Sequence, residues 1–237
     1  MLERFLFRDG YLDFETPVAV AFFAGLCRFL YLLVSKIIPT KSPEYHCRVI
    51  SFIHGFITAF VGINQCFLVD NPFYHPYWRT TYTQSILLAF SAGYFIHDLI
   101  WMLEHTRDER VFIAHHFYSA FTLVRILFKG TSGAQASCSL GILEITNPFL
   151  QMRWFLSSEG KDDTALFTSI EIMFFSVFLV IRIMVGGYLL KIVLTHPQND
   201  WEFKFMSLSM YILSWVFFVN IIQYIFGKFK DPNKDNT

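Results

Sequence analysis

The sequence predicts an all-α, polytopic membrane protein, a helix bundle with about seven transmembrane helices. Apolar residues make up 54% of the chain and charged residues only 16%, whereas an average soluble domain carries about 25% charge. Seven apolar segments of about span length follow one another with short connections. In hydrocarbon only helices and closed barrels satisfy every backbone polar group, and these segments are too long for barrel strands.

The predicted spans are, in order, residues 17–38, 49–69, 83–103, 111–128, 134–156, 166–194 and 203–226. The connections leave no room for a separate soluble domain. We therefore divide the chain into an N-terminal segment with the first helix (1–46), a main membrane domain (47–226) and a short polar tail (227–237).

The distribution of Lys and Arg predicts the orientation of the bundle. One side carries six of them (Arg4, Arg8, Arg79, Lys129, Lys191, Lys204) and the other side ten (Lys36, Lys41, Arg48, Arg107, Arg110, Arg153, Lys161, Lys228, Lys230, Lys234). The richer side is expected in the cytosol, which places the C-terminus there and the N-terminus outside.

Charge and cysteine usage exclude several classes of partner. The 19 Lys+Arg and 19 Asp+Glu give zero formal charge, so no basic excess is present for nucleic acid, and we expect membrane lipids as partners instead. The four cysteines form no C-x-x-C pair, and from this we expect no structural disulfide and no zinc site. The histidines lack the spacings of membrane di-iron enzymes, so no metal is expected.

Ionisable residues inside the spans are the most informative, because each costs roughly 2.5 to 3.5 kcal/mol at mid-bilayer. At 1.5 Å per residue, six of them share one depth, about 6 to 9 Å below the cytosolic surface. They are His54, His97, Asp98, His115, His116 and Glu171. A shared layer favours a polar site near the cytosolic face.

The fifth span is unusually polar and is expected to face the bundle interior. Pro148 removes a backbone donor and frees a carbonyl near Glu144, while Asn147 is expected to leave helical geometry. Discontinuous helices of this kind build polar sites in membranes. Glu144 and Asn147 would extend the layer inward, with Arg153 at its cytosolic mouth.

Each of these residues also has a structural interpretation. A lone intramembrane histidine such as His54 is commonly a packing residue. Arg28, Arg125 and Arg182 would pair with acids or backbone carbonyls and fix helix register. The pair His115 and His116 favours chemistry more strongly, because a neutral imidazole near the Asp98 carboxylate can act as base or nucleophile. Neighbours on a helix point about 100° apart, so one of the two faces a given substrate.

Three sequence motifs resemble the TLC family (TRAM, Lag1 and CLN8 homology). They are Gly93-Tyr94-Phe95-Ile96-His97-Asp98-Leu99, then Ala114-His115-His116, then the long run from Glu144 through Asn147, Pro148 and Arg153 to Leu156. The resemblance covers the chain from Cys47 to about Phe226. The last motif is long and specific, and it carries more weight than the double histidine.

The resemblance implies a lipid-handling protein of the endoplasmic reticulum, with the plasma membrane as an alternative. In ceramide synthases the double histidine takes part in transferring an acyl group from acyl-CoA to a sphingoid base, so His115 and His116 would be the reactive pair. A second synthase motif with His-Asp and a further Asp is replaced here by Glu144-Ile145-Thr146-Asn147-Pro148.

These arguments favour a protein of lipid homeostasis or membrane lipid composition with a cavity on the cytosolic side. As an acyltransferase it would use His115 or His116 as base or nucleophile and Asp98 to orient it. His97, Glu144, Asn147, Arg153, His54 and Glu171 would bind substrate; acyl-CoA would be a co-substrate, and no other cofactor is expected. The alternative is a non-enzymatic lipid sensor or cargo adaptor, which would depend on exposed loops such as 71–81. A small transporter is a third class.

Overall fold

The computed structural model describes residues 15–68, 72–73, 77–106 and 109–230. Its elements are α1 (Glu15–Ile37), α2 (Pro43–Leu68), α3 (Tyr82–His105), α4 (Arg110–Lys129), α5 (Gly133–Glu144), α6 (Thr146–Ser158), α7 (Ala165–Val177), a π-helical segment (Phe178–Val185), α8 (Gly186–Thr195) and α9 (Trp201–Lys230). Within these ranges the one β-type pairing is an isolated bridge between Arg79 and Thr131. The all-α prediction is confirmed.

Among the described residues, six helical segments are long and apolar enough to cross a bilayer, at residues 16–37, 43–67, 82–105, 110–129, 165–195 and 201–228. They correspond to six of the predicted spans. The remaining predicted span, 134–156, is formed by α5 and α6 together. The prediction of a bundle of about seven transmembrane helices agrees with this architecture.

The third helix is the centre of the bundle. In the 18-residue apolar stretch of α3, 67% is buried within the protein. The corresponding share is 17% for α1 and 11% for α9. α3 packs against α1 on one side and α4 on the other. Its start is fixed by a capping box, in which the Thr81 hydroxyl accepts from the Gln84 amide while the Gln84 side chain accepts from the Thr81 amide.

The predicted interruption of the fifth span lies at Ile145. α5 ends at Glu144 and α6 begins at Thr146, so Pro148 falls in the first turn of α6, where its missing N–H costs little. The expectation that Asn147 leaves helical geometry is wrong, since Asn147 is helical. Its side chain donates to the backbone carbonyl of Ser51 on α2 at 3.2 Å, which helps to hold the turn in place.

The expectation of no structural disulfide is also wrong. Cys66 on α2 and Cys138 on α5 form a disulfide with a Cα–Cα distance of 4.9 Å. One turn further into the bundle the same helices touch through two glycines, because a Cβ on Gly62 would lie 2.5 Å from the Cα of Gly141. This close approach of two helices brings together cysteines 72 residues apart in sequence. Cys27 and Cys47 are buried free thiols.

The predicted domain boundaries stay predictions. Position 46 lies inside α2, and residues 1–14 and 231–237 lie outside the described residues. Arg4, Arg8, Arg107 and Lys234 of the orientation argument also lie outside the described residues, as do residues 71 and 74–76 of the loop 71–81.

Candidate functional site

A cavity of about 320 Å³ lies at the end of the bundle where α2 begins and α3 ends. Its rim includes Glu44, Arg48, Thr106 and Glu109. Six of the nine predicted site residues line it, namely Asp98, His115, His116, Glu144, Asn147 and Arg153. The other three, His54, His97 and Glu171, do not.

The histidine that meets the acid is His116. Its Nδ1 lies 3.2 Å from Oδ2 of Asp98, and both residues are more than nine-tenths buried. The Cys47 thiol donates to the other carboxylate oxygen, Oδ1, at 3.0 Å. Asp98 therefore bridges a thiol on α2 and an imidazole on α4. Tyr94, one turn before Asp98 on the same face of α3, also lines the cavity.

The neighbouring histidine faces elsewhere. The His115 ring stands at 88° to the His116 ring and contacts the rings of Phe95 and Phe217 edge-on, with centroid distances of 6.0 and 5.4 Å. This divergence follows from the rotation of about 100° between consecutive helical residues. Both rings contact Phe95, but His116 also approaches Asp98, whereas His115 contacts Phe217.

Glu144, at the end of α5, is the centre of a buried polar group. Its Oε1 lies 3.6 Å from Nη2 of Arg182, and its Oε2 accepts a hydrogen bond from Asn147 at 3.1 Å. His54 approaches the same Oε2 with Nδ1 at 3.9 Å while stacking on Tyr94 at a centroid distance of 3.8 Å. His54 consequently supports the wall of the site from behind.

A row of hydrogen bonds runs from Glu144 to the rim of the cavity. Gln151 donates to the Asn147 side-chain oxygen at 2.8 Å, and Arg48 donates to Gln151 at 3.2 Å and to Glu44 at 2.9 Å. We call the contact of α2 with α5 and α6, from Cys66–Cys138 to Arg48–Gln151, the α2–α5/α6 seam. The polar half of this seam forms one wall of the cavity.

Glu171 belongs to a second polar cluster beside the cavity. It accepts from Arg153 at 3.0 Å, from Lys228 at 3.0 Å and from the Tyr224 hydroxyl at 3.2 Å. Arg153 and Tyr224 line the cavity, so this cluster forms part of its wall on the α7 and α9 side. Arg153 is held between Glu171 and the Tyr224 ring, whose centroid lies 4.7 Å away.

His97 faces away from the cavity. Its ring contacts Tyr31 of α1 at a centroid distance of 6.0 Å, and among the described residues neither ring nitrogen has a hydrogen-bond partner. The common depth of His97 and Asp98 therefore does not bring their side chains into one site.

A second, smaller cavity adjoins the first. It has a volume of about 130 Å³ and lies between α4, α5, α8 and α9, with mainly apolar walls that include Leu189 and Met206. Four residues line both cavities: Phe95, His115, Glu144 and Arg182. We call this shared wall the junction.

Arg182 and Cys47 are among the residues of the site that the sequence analysis did not predict. The sequence analysis assigned Arg182 only to fixing helix register. Its charge in the middle of a span was the available signal for a site, whereas the π-helical segment around it could not be predicted from the sequence. Cys47 gave no signal, because nothing in the sequence joins it to Asp98. In the part of the chain that the structure describes, no three His, Cys, Asp or Glu side chains gather as metal ligands.

Comparison with known proteins agrees with this architecture. The TLC domain (TRAM, LAG1, CLN8) matches residues 44–228. A TLC domain-containing protein of Arabidopsis thaliana is 26% identical over 150 residues, covering 63% of this chain and 58% of the relative. TLC domain-containing protein 4 of Homo sapiens is 26% identical over 121 residues, covering 50% and 45%.

TLC domain-containing protein 1 of Mus musculus is 23% identical over 175 residues, covering 72% of this chain and 70% of the relative. The chain thus spans a little over half the length of the Arabidopsis relative and less than half of the human one. Because the domain match extends from the start of α2 to the end of α9 and contains every predicted site residue, this chain belongs to the TLC domain family.

Proposed function

We propose that this membrane protein acts in lipid metabolism as an acyltransferase, with His116 as general base and Asp98 as the residue that orients it. The observation that carries the proposal is the 3.2 Å approach of His116 Nδ1 to Asp98 on the wall of a cavity. A carboxylate beside Nδ1 favours the neutral tautomer that keeps its proton on Nδ1. The other ring nitrogen, Nε2, is then free to accept a proton.

In the proposed reaction, Nε2 of His116 accepts the proton of an acceptor hydroxyl or amine. The acceptor oxygen or nitrogen attacks the carbonyl carbon of an acyl-CoA thioester, and the carbon–sulfur bond breaks. The proton then passes from His116 to the departing CoA sulfur. Both carboxylate oxygens of Asp98 are engaged, one by Cys47 and one near His116, which suits an orienting role.

The two adjoining cavities support an amphipathic substrate. The larger one carries most of the polar side chains and the smaller one is mainly apolar, so a polar head and an acyl chain would each have a matching environment. Within this proposal Asn147 and Arg153 contact the polar part of the substrate. Glu144 acts through its pair with Arg182.

The disulfide supports an orientation with the larger cavity open to the cytosol. Disulfides form in oxidising compartments, and Cys66 and Cys138 lie at the end of α2 opposite to the cavity rim at Glu44 and Arg48. The bias of Lys and Arg argues for the same orientation. We propose the endoplasmic reticulum as the compartment, where acyl-CoA would reach the cavity from the cytosol.

The test is an untargeted lipid profile of cells lacking the endogenous protein that re-express the intact chain, His116→Ala, or His97→Ala at matched levels. His97→Ala is the control, because His97 is a buried histidine of the same layer outside the cavity. We expect the intact chain and His97→Ala to shift one lipid class and His116→Ala to leave it unchanged.

A non-enzymatic lipid sensor or adaptor is the second candidate. Glu144 is already paired with Arg182 and Asn147, and the second synthase motif is replaced around it. In this case the same cavities would bind a lipid and bias helix packing. An equal lipid shift from the intact chain and from His116→Ala would favour this candidate over acyl transfer.

A further inference from the structure

We propose that Arg182 binds the carbonyl oxygen of an acyl ligand at the junction of the two cavities. This inference rests on the proposed function in requiring an acylated ligand, but it does not require that the ligand reacts. The ligand chemistry is an acyl carbonyl, supplied either by the thioester of an acyl-CoA or by the ester of a phospholipid.

The backbone around Arg182 is unusual. A π-helical segment of eight residues, Phe178–Val185, lies in the middle of a span between α7 and α8. π-Helical turns are rare and occur frequently at functional sites. Here the segment carries the one arginine of residues 165–195, and its side chain is turned inward and only 8% exposed as a residue.

The contacts of Arg182 engage one side of its guanidinium. Nε donates to the backbone carbonyl of Leu143 and to the Thr146 hydroxyl oxygen, both at 3.2 Å. Both acceptors flank the break at Ile145, so Arg182 also caps the end of α5. Nη2 lies 3.6 Å from the Glu144 carboxylate. A guanidinium has five N–H groups, and four of them are on the two Nη atoms. The contact of Nη2 with Glu144 does not use all four, so N–H groups remain that can donate to a ligand.

The position of Arg182 matches the position of a carbonyl in an amphipathic ligand. Arg182 lines both cavities, and the carbonyl is the last polar group before an acyl chain begins. With the head in the larger cavity and the chain in the smaller one, the carbonyl would lie at the junction. A charge-assisted hydrogen bond there is strong, because Arg182 is only 8% exposed and its charge is little screened by bulk water.

The same contact would serve the proposed reaction. When the acceptor attacks the carbonyl carbon, negative charge develops on the carbonyl oxygen, and a cation already in place stabilises it without reorganisation. Arg182 would then act on the oxygen while His116 handles the proton of the acceptor.

The experiment compares ligands with and without the carbonyl. Dissociation constants are measured by native mass spectrometry on the detergent-purified full chain for palmitoyl-CoA against hexadecyl-CoA thioether, and for a diacyl against a dialkyl-ether phosphatidylcholine. We expect one of these pairs to show a preference of about tenfold for the carbonyl ligand, and that pair identifies the source of the acyl group.

The variants test whether Arg182 is responsible. Arg182→Gln should reduce the preference to less than about twofold, while Arg125→Gln should retain it. Arg125 is a matched control, because it also lies in a span and pairs with an acid, Glu202 at 2.7 Å, but lines neither cavity. If Arg182→Gln does not fold, Arg182→Lys replaces it in the test, because Arg182→Lys keeps the positive charge beside Glu144. A lysine lacks the planar set of donors of a guanidinium, so Arg182→Lys should still lose most of the preference.

Equal affinities within both pairs for the intact chain would overturn the inference, as would a preference that survives in Arg182→Gln. Failure of all four ligands to bind would overturn the proposed function and the inference together. The two proposals can also be separated. If the ligand preference is present, but cells with His116→Ala show the same lipid shift as cells with the intact chain, acyl transfer is excluded and the role of Arg182 is kept.

Discussion

The two ends of the α2–α5/α6 seam are held together in different ways. At one end Cys66 and Cys138 join the helices covalently, and Gly62 touches Gly141 backbone to backbone. At the other end the contact is polar, through Asn147 bonded to the Ser51 carbonyl and through Arg48 bonded to Gln151.

The difference follows the location of the cavity. The larger cavity opens beside the polar end, and neither of the two cavities described above is lined by Cys66, Gly62 or Cys138. A close backbone contact needs shape complementarity and allows little movement, whereas side-chain hydrogen bonds can exchange with a ligand. We infer that the disulfide end sets the position of α5, and that the polar end is where a ligand would change local contacts.

The largest effect is expected from Gly141→Leu. A Cβ on Gly141 has no room against the backbone of Gly62 and Ile63, so a leucine would force α2 and α5 apart and should prevent recovery of folded protein. Thermal melting and size-exclusion chromatography in detergent would measure this. Gly25→Leu is the control, because nothing lies within 4 Å of a Cβ at Gly25, and it should behave like the intact chain.

The next effect is loss of the disulfide in the double variant Cys66→Ser, Cys138→Ser. Removing a native disulfide typically costs about 2–4 kcal/mol, so the melting temperature should fall, and reduction of the intact chain should lower it by a similar amount. The double variant should no longer respond to reductant. Alkylation of both thiols in the unreduced intact chain would contradict the disulfide itself.

The sequence indicated the polar end of the seam but not its disulfide end. Pro148, Glu144 and Asn147 were readable, because polar residues and a proline are costly in a span and therefore indicate a site. The Cys66–Cys138 pair was not, because pairing across 72 residues depends on how α2 and α5 pack. A lack of C-x-x-C spacing carries no information on such a pair.

The sequence predicted a depth for the candidate site, which stays a prediction, and did not predict the direction of its side chains. Counting residues along a span gives the depth of a side chain, whereas its direction depends on rotation of the helix against its neighbours. His97 and Asp98 share a depth, yet His97 contacts α1 and Asp98 lines the cavity. Arg182 was assigned to packing, since no sequence pattern reveals a π-helical segment or a second cavity beside it.

A moderate effect is expected at the polar end, from Asn147→Leu. The variant removes the bonds of Asn147 to Ser51, Glu144 and Gln151. One unsatisfied buried group costs about 1–3 kcal/mol; Glu144 keeps its contact with Arg182 and Gln151 its bond from Arg48, so we expect a total within that range. The melting temperature should fall less than in the disulfide variant. A fall larger than that would mean that the polar end, and not the disulfide end, fixes the position of α5.

The smallest effect is expected from the exposed pair of Lys41, after α1, and Glu159, at the end of α6. The hydrogen bond from Lys41 lowers the pKa of Glu159, and the same bond raises the pKa of Lys41. Glu159 therefore stabilises the fold above the ordinary pKa of glutamate, and this contribution is lost as the pH falls through its lowered value. Lys41 contributes below the ordinary pKa of lysine, and its contribution is lost as the pH rises through its raised value.

The melting temperature of Glu159→Gln should accordingly lie slightly below that of the intact chain at neutral pH. The difference should vanish in acid, once Glu159 is protonated in both states, and should shrink in high salt because exposed pairs are screened. Asp163→Asn, a change of an exposed carboxylate in the same connection, is the control for the altered net charge. If the difference in melting temperature between Glu159→Gln and the intact chain persists in acid, the effect comes from side-chain packing at the end of α6 and not from the ion pair. The polar end of the seam would then depend on more than its polar bonds.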